Sequence, residues 1–244
     1  MIEMTLLGDF YKCPKLNVKR QIWRLKMDDT KKFAVILSGC GNKDGAEIHE
    51  SVMTLWAIHK HGAQYQCFAP DIEQHHVLNF ITGSEMNENR NVLVESARIA
   101  RGDIKDLKAY KADDYDGLIM PGGLGVAKNL SSFAFDGPDC SVNEDVIRAV
   151  RETAALKKPI GALCIAPAIV AKILGDVLVT IGHDTTTTAA IARMGARHEQ
   201  TTHGGITIDK ENRVVTTPCY MLEARVDQIG EGAENLIKAV IEMV

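Results

Sequence analysis

The sequence lacks C-x-x-C pairs, long apolar runs, internal repeats and any excess of positive charge. Each absence narrows the possibilities. Six cysteines stand scattered at positions 13, 40, 67, 140, 164 and 219, so the spacings typical of zinc sites and dithiol redox centres are missing. Without a secretory-signal pattern they fit a reducing compartment. A formal net charge of −4 speaks against a broad nucleic-acid surface, which needs a strong basic excess. No apolar stretch is long enough to span a bilayer. No low-complexity tract or linker divides the 244 residues, which suffice for one large domain with a sizeable core.

The composition itself is ordinary for a globular protein, 45% hydrophobic and 25% charged,. The first 32 residues differ. They carry Lys12, Lys15, Lys19, Arg20, Arg24 and Lys26, which hints at organelle targeting, yet Glu3, Asp9, Asp28 and Asp29 interrupt the pattern. Transit peptides are poor in acids. The reading is therefore a non-targeting extension over 1–32, a single domain over 33–244 and a cytoplasmic protein.

From residue 33 strand and helix alternate. Phe33 to Ser38, Tyr65 to Ala69 and Gly117 to Met120 read as buried strands by length and composition,. Between them lie a helix with Ile48, Val52, Leu55 and Trp56 on its apolar face and a less regular helix over 90–101. A helix with Val146, Ile147, Val150 and Ala154 on one face precedes a strand ending at Cys164. Val177 to Ile181 continues the alternation, followed by a short helix over 185–194 and a hairpin from Ile206 to Thr216. A terminal helix shows Ala233, Leu236, Ile237, Val240 and Ile241 at clean helical spacing. Such alternation predicts a parallel sheet with helices on both faces. Ligands of these sheets bind beyond the carboxyl ends of the strands. Cys40, Gly122, Gly123 and Cys164 all fall on that edge.

The richest stretch is Lys158-Pro159-Ile160-Gly161-Ala162-Leu163-Cys164-Ile165-Ala166-Pro167-Ala168. An apolar strand ends at a cysteine, and a proline in the first turn then opens a helix. A sulfur at a helix N-terminus meets oriented N–H groups that favour thiolate over thiol. Most cysteines merely fill space, but this turn has the form of a nucleophile elbow. If Cys164 attacks a carbonyl, the N–H groups of Ile165 and Gly123 are candidate donors to the resulting oxyanion, glycine permitting the close approach. Glu47, near the start of the first helix, could move a proton during carbonyl chemistry, although acids there usually serve the helix terminus. His183, just after the strand that follows the elbow helix, is a possible third member. His49, His59, His61, His75 and His76 lack matching metal-ligand partners. Packing is the default for Cys40 and Cys219.

Together these residues resemble the DJ-1/PfpI superfamily and, within it, the ElbB-type glyoxalase family. The resemblance rests on Val35 to Gly41, Asp44 to Glu50, Cys67 to Asp71, Thr82-Gly83, Glu95 to Ile99, Pro121 to Leu130, Cys164 to Ala168 and Thr216 to Leu222. It implies an α/β flavodoxin-like three-layer sandwich and a site that needs no cofactor and no metal. By the same resemblance Cys164 is the elbow nucleophile, Glu47 its acid, and Gly123 and Ile165 the oxyanion donors. Ile165 replaces the histidine that follows the nucleophile in protease-like relatives, which disfavours peptide hydrolysis. No His-x-Glu pair follows the elbow, which disfavours amidotransfer. The expected activity is glutathione-independent conversion of glyoxal or methylglyoxal to a 2-hydroxy acid through a cysteine hemithioacetal. Alternatives are a redox sensor acting through oxidation of Cys164, or repair of glycation adducts. The expected partner is a small reactive dicarbonyl, with neither nucleic acid nor membrane, and the resemblance implies a homodimer.

Overall fold

The computed structural model describes residues 30–244. Residues 1–29, and with them Cys13 and most of the expected extension, lie outside the described part. Nine strands are found there: β1 (Lys32–Ile36), β2 (Gln64–Ala69), β3 (Ile104–Asp106), β4 (Gly117–Met120), β5 (Ile160–Leu163), β6 (Leu178–Val179), β7 (Arg197–His198), β8 (Thr207–Asp209) and β9 (Val214–Thr217). Seven form one sheet in the order β3-β2-β1-β4-β5-β9-β8. All its pairings are parallel except β8 with β9.

Every residue of β4, β5 and β9 is buried. That is the pattern of central parallel strands covered on both faces. The covering helices are α1 (Ile48–Lys60), α2 (Val92–Ile99), α5 (Glu144–Ala155), α6 (Ala166–Leu174), α7 (Thr185–Arg193) and α8 (Val226–Glu242). The short α3 (Leu124–Lys128) and α4 (Phe133–Asp136) lie in the connection after β4. Helices α1 and α8 pack on each other in one layer, and α6 lies between α5 and α7 in another. A Cβ added at Gly161 in β5 would come within 2.7 Å of a Leu236 methyl and 2.8 Å of an Ile119 methyl, so a side chain there would force both to repack. The architecture is the expected α/β sandwich.

Two local expectations need correction, and one strand, β3, was not anticipated. Strand β6 does not extend the main sheet; it pairs in parallel with β7 as a separate two-stranded ribbon. Hydrophobic periodicity identifies a strand but not its partner, and β9 already occupies the place beside β5. Strand β3 pairs with β2 although its burial is only partial, so its sequence carried no apolar run to mark it. In α1 the core face consists of Ser51, Thr54, Leu55, Ala57 and Ile58. Ile48, Val52 and Trp56, expected inside, are 43%, 45% and 46% exposed.

Candidate functional site

Strand β5 delivers Cys164 to the carboxyl edge of the sheet. The Cys164 N–H donates to the Thr217 carbonyl at 2.9 Å, one rung beyond the β5–β9 ladder. Its φ is +59°, a left-handed conformation costing a non-glycine residue about 1–2 kcal/mol. The rung below and α6 above, opened by Pro167 in its first turn, hold that conformation in place. Strain of this kind concentrates at functional sites.

The loop after β4 closes on the cysteine from the side. A Cβ at Gly122 would lie 2.4 Å from the Cβ of Cys164. Gly123, at φ +99°, leaves only 2.3 Å between its Cβ position and the Glu47 nitrogen. Only glycine lets these backbones meet. The Glu47 N–H donates to the Gly122 carbonyl at 2.9 Å, tying the start of α1 to this loop. The N–H groups of Gly123 and Ile165 both donate to the Cys164 sulfur. The two candidate oxyanion donors thus converge on the nucleophile.

The acid against the sulfur is Glu50. Its side chain is fully buried and hydrogen-bonded with the Cys164 thiol. Oε2 accepts from the Gly122 N–H at 3.0 Å and Oε1 from the Tyr220 N–H at 3.2 Å. Burial, reinforced by the charge of Glu47, pushes the Glu50 carboxyl up to about 8, so it is a carboxylic acid at neutral pH. Glu47 caps α1 instead: its Oε2 accepts from the Glu50 N–H at 2.6 Å. Its Oε1 stands 3.9 Å from His49 Nδ1, which is 2.8 Å from the Tyr220 hydroxyl. Glu47 and Glu50 are three residues apart and so share a helix face. That spacing could have brought Glu50 forward as a candidate from sequence.

The sulfur is not the resting thiolate expected from its place at a helix N-terminus. Burial and the adjacent Glu50 push the Cys164 thiol well up, outweighing the lowering by the Gly123 and Ile165 N–H groups. Helix-terminal N–H groups cannot offset the loss of hydration of a sulfur that is 7% exposed and faces an acid,. Cys164 and Glu50 form a proton-holding pair.

His183 is exposed and stands beside Asp184, which caps α7 by accepting from the Thr187 N–H at 2.7 Å. Among the described residues no hydrogen bond or ion pair joins it to Cys164. Cys40 is half-buried after β1. Cys219 follows β9 and is buried, and burial pushes its thiol well up. Among the described residues no cluster of three or more His, Cys, Asp or Glu is placed to hold a metal.

A flavodoxin-like sandwich whose elbow cysteine faces a buried acid defines an amidotransferase-like protein with the fold of DJ-1/PfpI proteins. An isoprenoid biosynthesis protein with an amidotransferase-like domain from Ehrlichia chaffeensis superposes with a TM-score of 0.83 at 36% identity, covering 88% of this chain and 99% of that one. Glyoxalase III from Candida albicans shares the fold, with a TM-score of 0.55, 14% identity and coverages of 87% and 97%. No family model matches the chain. The mitochondrial ES1 protein homolog of Rattus norvegicus is 44% identical over 225 residues, 87% of this chain and 84% of that protein. The mitochondrial glutamine amidotransferase-like class 1 domain-containing protein 3 of Homo sapiens is 44% identical over 222 residues, covering 87% and 83%. The chain belongs to this ES1, amidotransferase-like family. The relatives' mitochondrial names overturn the cytoplasmic reading. The four acids among the first 29 residues were too slight a signal to outweigh six basic ones.

Proposed function

We propose that the protein is a cofactor-free, glutathione-independent glyoxalase that converts glyoxal or methylglyoxal to a 2-hydroxy acid. The observation that carries this reading is the Cys164–Glu50 pair, a nucleophile hydrogen-bonded to an acid that is protonated at neutral pH. As the sulfur adds to the aldehyde carbon, the C=O π bond breaks. One oxygen of Glu50 hands its proton to the aldehyde oxygen while the carboxyl takes the thiol proton. The N–H groups of Gly123 and Ile165, already around the sulfur, lie where they can support that oxygen. The carboxyl then takes the hemithioacetal C–H proton on one oxygen as it gives its own proton to the neighbouring carbonyl oxygen, forming an enediol. Next it protonates that second carbon as it takes the first carbon's hydroxyl proton, leaving a thioester of the 2-hydroxy acid. Water breaks the C–S bond, releasing the acid and returning the thiol. Glu47 acts by holding the first turn of α1, so the proton-transfer role passes to Glu50. NMR of glyoxal incubated with the protein tests the reading. Glycolate is expected from wild type and none from Cys164→Ala; equal glycolate from both would end it.

The relatives' names support a mitochondrial location for this chain, with the basic residues among the first 29 as the targeting signal. A fluorescent fusion that loses mitochondrial localisation on deletion of residues 1–29 is the expected result. A homodimer is also proposed, through α1 and α8. Ile48, Val52 and Trp56 form an exposed stripe at every fourth residue, beside a groove of about 790 Å³ between these helices. The helices run side by side in the same direction, Met53 against Gly230 and Lys60 bonded to Glu234. Exposed Glu231 marks one end of the groove. Lys60 and Lys238, which share Glu234, leave a positive charge at the other. An antiparallel second copy would set each end against its opposite.

A further inference from the structure

Cys164 directly follows β5, and Cys219 opens the 3-10 turn Cys219–Met221 two residues beyond β9. The two strands are adjacent and parallel with Leu163 opposite Thr217, and the Cys164 N–H bond to Thr217 carries that register one step further. The charge of Cys164 acts directly on the Cys219 thiol, so the two sulfurs are neighbours in the same buried space. Both cysteines have positive φ, +59° and +43°, which few non-glycine residues adopt. Both border one carboxyl: Glu50 holds the Cys164 thiol and accepts from the Tyr220 N–H immediately after Cys219. The Cys219 sulfur lies 3.5 Å from the Cβ position of Gly232 on α8, the helix that packs on α1. Both thiols therefore face the same helical layer. Two buried cysteines at positive φ, beyond the carboxyl ends of neighbouring strands and bordering one carboxyl, are more than space-filling requires.

We propose that Cys219 is the resolving thiol for Cys164, so that a peroxide converts the pair to a reversible Cys164–Cys219 disulfide. In the first step the Cys164 sulfur takes one oxygen of the peroxide. The O–O bond breaks, and water or an alcohol leaves with the thiol proton. In the second the Cys219 sulfur attacks the sulfenic sulfur, the S–O bond breaks, and hydroxide leaves with the Cys219 proton as water. Two thiols are oxidised and one peroxide is reduced. The disulfide withdraws the nucleophile and keeps it from sulfinic acid, which is not readily reversed. The inference shares with the glyoxalase reading only the premise that Cys164 reacts.

The full chain is treated with a slight excess of hydrogen peroxide, blocked with an alkylating agent, and mapped by mass spectrometry. A peptide joining Cys164 to Cys219 is expected, and dithiothreitol should restore alkylation of both. Cys219→Ala, checked for folding by its thermal melt, should instead accumulate sulfinic acid at Cys164 that dithiothreitol does not reverse. If that variant fails to fold, the wild-type map decides alone. Wild-type Cys164 oxidised to sulfinic acid with Cys219 still alkylated, or either thiol paired elsewhere, would overturn the inference. A cross-link without glyoxal turnover would sink the glyoxalase reading and leave this one standing. Turnover without the cross-link would do the reverse.

Discussion

At the scale of single residues the site is a proton account between one sulfur and one carboxyl. Glu50 ordinarily titrates near 4.5 and is held here at about 8, chiefly by burial. Between those values the unfolded chain has lost the proton that the folded chain keeps. The stabilisation is full below about 4.5 and is lost as pH rises through about 8. Its steepest slope is about 1.4 kcal/mol per pH unit. Thermal melts of wild type should therefore fall more steeply between pH 5 and pH 8 than those of Glu50→Gln. Parallel curves would show that Glu50 ionises normally. The same pair sets reactivity. Above pH 8 the charged Glu50 opposes ionisation of Cys164, so Glu50→Gln should alkylate faster there while losing glyoxal turnover, having no proton to shuttle. Glu47→Gln, whose capping oxygen survives, should leave alkylation near wild type. If the Glu47 variant loses turnover while Glu50→Gln keeps it, the two acids have been assigned the wrong way round.

At the scale of elements, local signals and distant pairings separate cleanly. Asn143 illustrates a local one: its Oδ1 accepts from the N–H groups of Asp145 and Val146 at 3.0 and 3.3 Å, fixing the start of α5. Asn143→Ala should cost about 1 kcal/mol in a denaturant melt without changing Cys164 alkylation. A cost near zero would mean that α5 is held by packing alone. The elbow was legible for the same kind of reason. An apolar strand, a cysteine and a helix-opening proline are contiguous, and Gly122-Gly123 announces a close backbone approach. Glu50 was harder to see, because a carboxylate in a helical first turn looks solvated until Gly122 and Tyr220, which are 72 and 170 residues away, are folded onto it. Strand β6 was legible as a strand but not as a separate ribbon. Its partner β7 has two residues, Arg197 and His198, with no apolar pattern.

At the scale of the whole molecule the question is what the two faces of α1 are for. One turns Glu50, Ser51, Thr54, Leu55, Ala57 and Ile58 inward, and so carries the acid to the cysteine. The other offers Ile48, Val52 and Trp56 to solvent, although an isolated globule gains nothing from exposing them. Helical periodicity assigned these three to the core because it registers that a stripe is apolar, not which surface covers it. The proposed homodimer would give this second stripe a surface to pack against. Analytical ultracentrifugation should then find a dimer. Trp56→Glu, which places a carboxylate in the stripe beside Glu231, should shift it to monomer with little loss of thermal stability in the protomer. Trp56→Phe should remain a dimer. A Trp56→Glu protein that sediments like wild type would remove α1 from any interface. Because α1 also carries Glu50, a monomeric variant that still alkylates at Cys164 like wild type would show that the acid's position is set within one chain.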